Sequence, residues 1–205
     1  MPFSRSRRHA PIGVATWDAH LRISAVKVQP GEFYATDRDI AIVTVLGSCV
    51  AACLRDRESG IGGLNHFMLP HSGRDAGPAS TSARYGVNAM ELLINELIRL
   101  GARRRNLEAK VFGGGNMLEG CTVLNIGQAN ARFVTEFLRA ESIPVAGSDL
   151  EGNGSRKVCF FPATGRVLVR GIDRSAERAA LAETEARYGA RLAQLPVAGQ
   201  TEIFS

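Results

Sequence analysis

Residues 40–69 read IAIVTVLGSCVAACLRDRESGIGGLNHFML, and the alternation of apolar runs with small or polar residues here decides which fold to expect. Ile40–Leu46 is almost continuously apolar and rich in β-branched side chains, as in a strand buried on both faces. It stops at Gly47-Ser48-Cys49. CVAACL and IGGLNHFML then flank the polar RDRESG, which reads as two strands joined by a turn. If the hairpin is symmetric about Arg57 and Glu58, Cys49 stands directly opposite His66. Facing residues in an antiparallel pair keep their Cβ atoms about 4.5–5.5 Å apart, close enough for a sulfur and an imidazole to meet. The alternative is a short helix starting at Cys49, capped by Ser48 and tolerated by Ala51 and Ala52.

Outward from this stretch, Leu21–Val28 alternates loosely before Pro30-Gly31 and predicts a short strand. Tyr85–Leu100 predicts an amphipathic helix with Val87, Met90, Leu93, Ile94, Leu97 and Ile98 inward, Thr81 or Ser82 before it and Gly101 after it. Leu107–Phe112 predicts a strand and Gln128–Glu141 a helix with Ala129, Phe133, Phe137 and Leu138 inward. Between them, Gly113-Gly114-Gly115-Asn116 has neither GK[ST] nor GxGxxG, so it suits close approach of backbone to backbone better than phosphate binding. Lys157–Phe161 and Arg166–Arg170 flank PATG as a second hairpin, and alanine-rich Ser175–Leu195 predicts an appended helix.

A chain of 205 residues, 45% hydrophobic, suits one globular domain. MPFSRSRRHAPIG carries arginines without a following apolar run, so no signal peptide or membrane insertion is expected, and a cytoplasmic location is. There the four cysteines stay reduced. A net charge of +5 raises nucleic acid as a partner, with Arg103-Arg104-Arg105 the densest basic cluster. Aromatic residues are only 6% and form no base-stacking motif, so an acidic protein partner is favoured and the arginines read as a solvated turn.

Buried cysteines are usually inert small hydrophobes, and Cys53, Cys121 and Cys159 fit that role. Cys49 differs because it follows Gly47-Ser48 at a strand end, where backbone N–H groups are free to face a developing oxyanion. A neighbouring imidazolium would hold it as a thiolate, and His66 is placed to supply one. A lone histidine within LNHFML is ordinarily a core residue; the facing position of Cys49 reverses that preference. His9 and His20 are remote from this stretch, and His71 is a weaker alternate base. Thr44, Ser48, Asn65 and Asn116 are the polar residues available to orient His66. Cys49 and Cys53 lack CxxC spacing and a completing pair, so no metal site is expected.

TVLGSCVAACLRD followed by IGGLNHFMLP resembles the signature of CheD, the chemoreceptor glutamine deamidase family of bacterial chemotaxis. RYGVNAMELLINELIRLGA, KVFGGGNML, NIGQANARFVTEFLRAESIPVAGSDLEGN and RKVCFFPATGRVLV are similar to that family's successive blocks, from about Val26 to Arg170. The resemblance implies an α+β fold with a β-sandwich-like core of packed mixed β-sheets flanked by helices, distantly similar to deamidating toxin domains. The chain is accordingly expected to comprise a disordered basic arm (1–20), a CheD-like deamidase domain (21–172) and an appended helix with a frayed C-terminus (173–205).

The resemblance also implies a cysteine, histidine and threonine triad. Cys49 and His66 match its first two members, and only Thr44 fits the third. Gly47 and Ser48 would present the oxyanion donors, with Asn65 as a further substrate-positioning candidate, and no cofactor is required. The implied reaction is irreversible hydrolysis of particular glutamines in the cytoplasmic helices of chemoreceptors to glutamate, through a thioester. The alternative is a non-catalytic regulator that binds receptors or a CheC-type phosphatase.

Overall fold

The computed structural model describes residues 15–19, 22–70, 81–116, 126–172 and 175–194; His9, His20, His71 and Cys121 lie outside them. One five-stranded sheet has the order β1 (Thr16–Asp18), β2 (Ile23–Lys27), β4 (Ala41–Leu46), β9 (Ser155–Phe161), β10 (Arg166–Ile172). The other has the order β3 (Phe33–Thr36), β6 (Gly62–Phe67), β5 (Val50–Asp56), β7 (Leu107–Gly113), β8 (Val145–Leu150). Both are mixed, since β2 runs parallel to β4 and β7 parallel to β8. Helices α1 (Thr81–Arg99), α2 (Ile126–Ala140) and α3 (Ser175–Ala193) flank them. The architecture is the α+β arrangement of packed mixed sheets that the family resemblance implied.

Alternation along β5 builds two cores. Val50, Ala52 and Leu54 face α1 and α2, where Met90, Leu93, Ile94, Leu97, Val134 and Leu138 are buried. Ala51 and Cys53 face the first sheet and pack with Ile42, Leu46, Val158 and Phe160. The chain passes from one sheet to the other between β4 and β5, through Gly47-Ser48-Cys49. The candidate nucleophile therefore sits at the crossover, between two rigid layers.

Several details differ from expectation. The β5–β6 hairpin pairs Ala51 with His66 and Val50 with Phe67, so Cys49 is not opposite His66. The hairpin is centred between Glu58 and Ser59, one position beyond the expected centre at Arg57 and Glu58: the Asp56 carboxylate accepts N–H from Glu58 at 2.8 Å and Ser59 at 3.2 Å, and Gly60 adopts φ 74°. Residues 50–56 form a strand, not the alternative helix. On α1, Val87 and Ile98 are each 41% exposed, because the helix rests on a single sheet and its buried stripe is narrowed to Met90, Leu93, Ile94 and Leu97. On α2, Ala129 and Phe133 are half-buried, and Gly127, Asn130, Ala131 and Val134 join Phe137 and Leu138 inside. Of the arginine cluster, Arg104 pairs with Glu91 and Glu141, and Arg103 lies 3.8 Å from Glu58.

Candidate active site

The Gly113-Gly114-Gly115 loop closes on the crossover by backbone contact, as its sequence suggested. Gly114 N–H donates to the Cys49 carbonyl at 2.8 Å and Gly115 N–H to the Gly47 carbonyl at 2.7 Å. The Asn130 side-chain amide donates to the Ser48 carbonyl at 2.8 Å. With all three carbonyls tied down, the N–H groups of the same residues converge on the other side, forming a small concavity suited to an anion. A Cβ at Gly113, whose φ is 103°, would lie 2.2 Å from the Cys49 carbonyl oxygen. Gly113→Ala is expected to cost at least about 2 kcal/mol in a urea titration and to depress turnover through the displaced crossover.

The N–H concavity is filled by Glu185 of α3. Its Oε1 accepts from Gly47 N–H at 2.8 Å and Cys49 N–H at 3.3 Å; its Oε2 accepts from Ser48 N–H at 2.9 Å and Ser48 Oγ at 2.7 Å. A Cys49 sulfur, a His66 ring nitrogen and a Glu185 oxygen all lie within 4.8 Å of one another. The helix expected as an appendage thus buries Glu185, Tyr188 and Leu192 against the body. Sequence reading passed over Glu185 as one of several glutamates on that helix. The signal was its spacing, since Leu181, Glu185, Tyr188 and Leu192 share one helical face.

His66 and Cys49 still meet because the real register is displaced from the expected one by two residues, and a two-residue slip keeps each side chain on its own face. Their contact is diagonal across the pair. His66 Nδ1 lies 2.8 Å from the Thr44 hydroxyl, which lies 2.8 Å from the Val28 carbonyl. That carbonyl only accepts, so Thr44 spends its single proton there and Nδ1–H must be the donor to Thr44. Nε2 is then the free lone pair of the neutral ring, and it is buried without a hydrogen-bond partner.

Burial lowers His66 to about 4, although the Glu185 charge and the Val28 carbonyl oppose the shift. Burial first, then the charge of Glu185 and a hydrogen bond to it, raises the Cys49 thiol well above its ordinary range. The expected imidazolium–thiolate pair is therefore absent with α3 in place: the site holds a neutral thiol beside a neutral base. The ring also makes the fold acid-sensitive. Between about pH 6.5 and 4 the unfolded chain protonates His66 and the folded chain does not, so stability falls as pH falls through that window. The expected loss is up to about 3 kcal/mol, read from urea midpoints, and a His66→Gln chain should lack that part of the dependence.

Thr44 is fully buried between Val28 and His66. Asn65 points to the opposite face of β6, where its Oδ1 accepts from Ala52 N–H at 3.0 Å and its Nδ2 donates to the Ala89 carbonyl at 3.1 Å. Cys53 is buried beyond Ala51, and Cys159 lies in a separate cluster with Ala25, Ala41 and Val43. Cys49, His66 and Glu185 also have the donor types of a metal site. Yet both carboxylate oxygens face N–H dipoles, which favour an anion there and oppose a cation.

Comparison with known proteins follows the same line. The family model described as CheD chemotactic sensory transduction matches residues 68–171. A protein of Thiobacillus denitrificans, "Probable chemoreceptor glutamine deamidase CheD", is 54% identical over 189 residues, 92% of this chain and 93% of its own. A protein of the same name from Methylobacillus flagellatus is 54% identical over 190 residues, again 92% and 93%. Spans of that length take in Thr44, Cys49 and His66 wherever they begin. Among solved structures, the Bacillus licheniformis hypothetical protein YfiH has a TM-score of 0.34 at 13% identity, over 57% of this chain and 49% of its own, too slight a likeness to carry an argument. On the family model and on relatives that match it nearly end to end, the chain belongs to the CheD family.

Proposed function

We propose that this protein hydrolyses the side-chain carboxamide of glutamine residues in chemoreceptor cytoplasmic domains to glutamate, with Cys49 as nucleophile, His66 as proton carrier and Thr44 as the residue that orients His66. The observation that carries this reading is the meeting of a thiol, an unpartnered imidazole nitrogen and three converging N–H groups at one buried crossover. His66 Nε2 takes the thiol proton as sulfur attacks the carboxamide carbon, and the carbonyl oxygen becomes an oxyanion held by Gly47 and Cys49 N–H. The imidazolium returns its proton to nitrogen as the C–N bond breaks, releasing ammonia and leaving a thioester. Water, deprotonated by the same nitrogen, then cleaves the C–S bond to give glutamate and the thiol.

No helix among the described residues is long and apolar enough to cross a membrane, and we place the reaction in the cytoplasm because the proposed substrate domains are there. A CheC-type phosphatase is the second partner we propose, on family resemblance, with residues 21–172 as the deamidase domain and 173–205 as an extension that reaches its site. Incubating the protein with receptor cytoplasmic domains and mapping glutamine-to-glutamate conversion by mass spectrometry tests the function. Receptor binding without conversion would return the protein to the class of non-catalytic regulators.

A further inference from the structure

We propose that the bed beneath α3 is the surface on which the substrate helix docks, and that α3 occupies it in cis as a likeness of the product, with Glu185 seated as the glutamate that a substrate glutamine becomes. This rests on the deamidase reading above.

A buried carboxylate needs compensation, and Glu185 receives it from the crossover itself: three backbone N–H groups and the Ser48 hydroxyl. Those donors are the ones a tetrahedral intermediate at Cys49 requires, so a substrate side chain and Glu185 cannot use them together. Glutamate has the length and shape of glutamine, and it is carried here by a helix. Oε1, shared by Gly47 and Cys49 N–H, stands where the carbonyl oxygen of a bound glutamine would stand; Oε2, which accepts from Ser48 N–H and its hydroxyl, stands for the second oxygen of the product glutamate, the one water supplies after nitrogen has left.

The contacts around Glu185 describe the helix the bed accepts. Leu181, Tyr188 and Leu192 line its inner face, and Gly189 is tight enough that a Cβ there would lie 3.2 Å from the Met68 methyl. The Tyr188 ring lies against Gly31, and its hydroxyl bonds that of Tyr85. A preferred substrate glutamine is accordingly one on a helix, with apolar residues four positions before it and three and seven after it, and a small residue at the fourth. Beside α3 lies a pocket of about 270 Å³, lined by Val28, Gln29, Pro30, His66, Leu181 and Thr184.

The decisive variant is full-length Glu185→Gln, which turns the product likeness into a substrate. Cys49 sulfur attacks the carboxamide carbon introduced at position 185, the C–N bond breaks with a proton from His66, and water replaces sulfur, so glutamine and water become glutamate and ammonia. Peptide mapping is expected to find position 185 as glutamate, or as an internal thioester lacking ammonia, and to find the introduced glutamine retained when Cys49→Ala is added. Glu185→Ala, which loosens α3, is expected to raise kcat/KM on receptor cytoplasmic domains about tenfold by freeing the bed. If wild type converts receptor glutamines while the Glu185→Gln chain keeps its introduced carboxamide, or Glu185→Ala is slower than wild type, the docking proposal fails and the deamidase reading stands. If wild type converts no receptor glutamine and the introduced carboxamide also persists, both fail.

Discussion

Cys49→Ala is expected to abolish ammonia release from receptor domains, a loss of at least roughly 10⁴-fold, because no other group at the crossover can form the thioester. The fold should survive. Alanine keeps the small volume of the position, and the crossover is held through the backbone of residues 47 to 49, which the substitution leaves in place. Circular dichroism and urea midpoints close to wild type, together with retained receptor binding, are the expected companions of lost turnover. Cys53→Ala is the control: its thiol lies further along the same strand, packed and kept neutral by burial. It should lose only modest stability through a small cavity and keep its activity. Residual turnover in Cys49→Ala above the uncatalysed rate would mean that sulfur is not the nucleophile.

The strands around the site were legible because burial writes itself into pattern: Ile40–Leu46 is an apolar run and Leu107–Phe112 alternates apolar with charged residues, and they appear as β4 and β7. The register was not, because it depends on a side chain capping its own turn, Asp56 onto Glu58 and Ser59, which periodicity does not report. Face was more robust than register, since a two-residue slip preserves it, and so the meeting of Cys49 and His66 survived the wrong pairing. Strands β1, β3 and β8 were missed; VAGSDL in β8 is short, polar and mostly exposed, and is a strand only because β7 offers it a parallel edge. Thr44 was one of four polar candidates to orient His66, and only family resemblance chose it among them, because a threonine inside an apolar strand looks like any other β-branched residue. Glu185 lies more than a hundred residues from the crossover, and no local pattern ties a helix glutamate to three amides on a distant turn.

His66→Ala is expected to lower kcat by roughly 10³-fold or more while leaving receptor affinity near wild type, since the ring moves protons and does not grip substrate. The form of the pH profile is more telling than the size of the loss. In wild type, His66 acts only when unprotonated, and burial holds it down to about 4, so activity should persist on acidification well below the usual histidine range and then fall. Without the ring, attack depends on thiol that has ionised unaided, and burial sets that value high. The variant should therefore gain rate steadily as pH rises, and its alkylation by iodoacetamide should be slow near pH 7 and approach wild type at high pH. Thr44→Ala keeps the base but frees its orientation, with an expected loss of about tenfold to a hundredfold, the cost of about 1–3 kcal/mol for one buried hydrogen bond. Thr44→Ser, which retains the hydroxyl, should recover most of it. Identical pH profiles for wild type and His66→Ala would remove the imidazole from the reaction and leave it a buried core histidine.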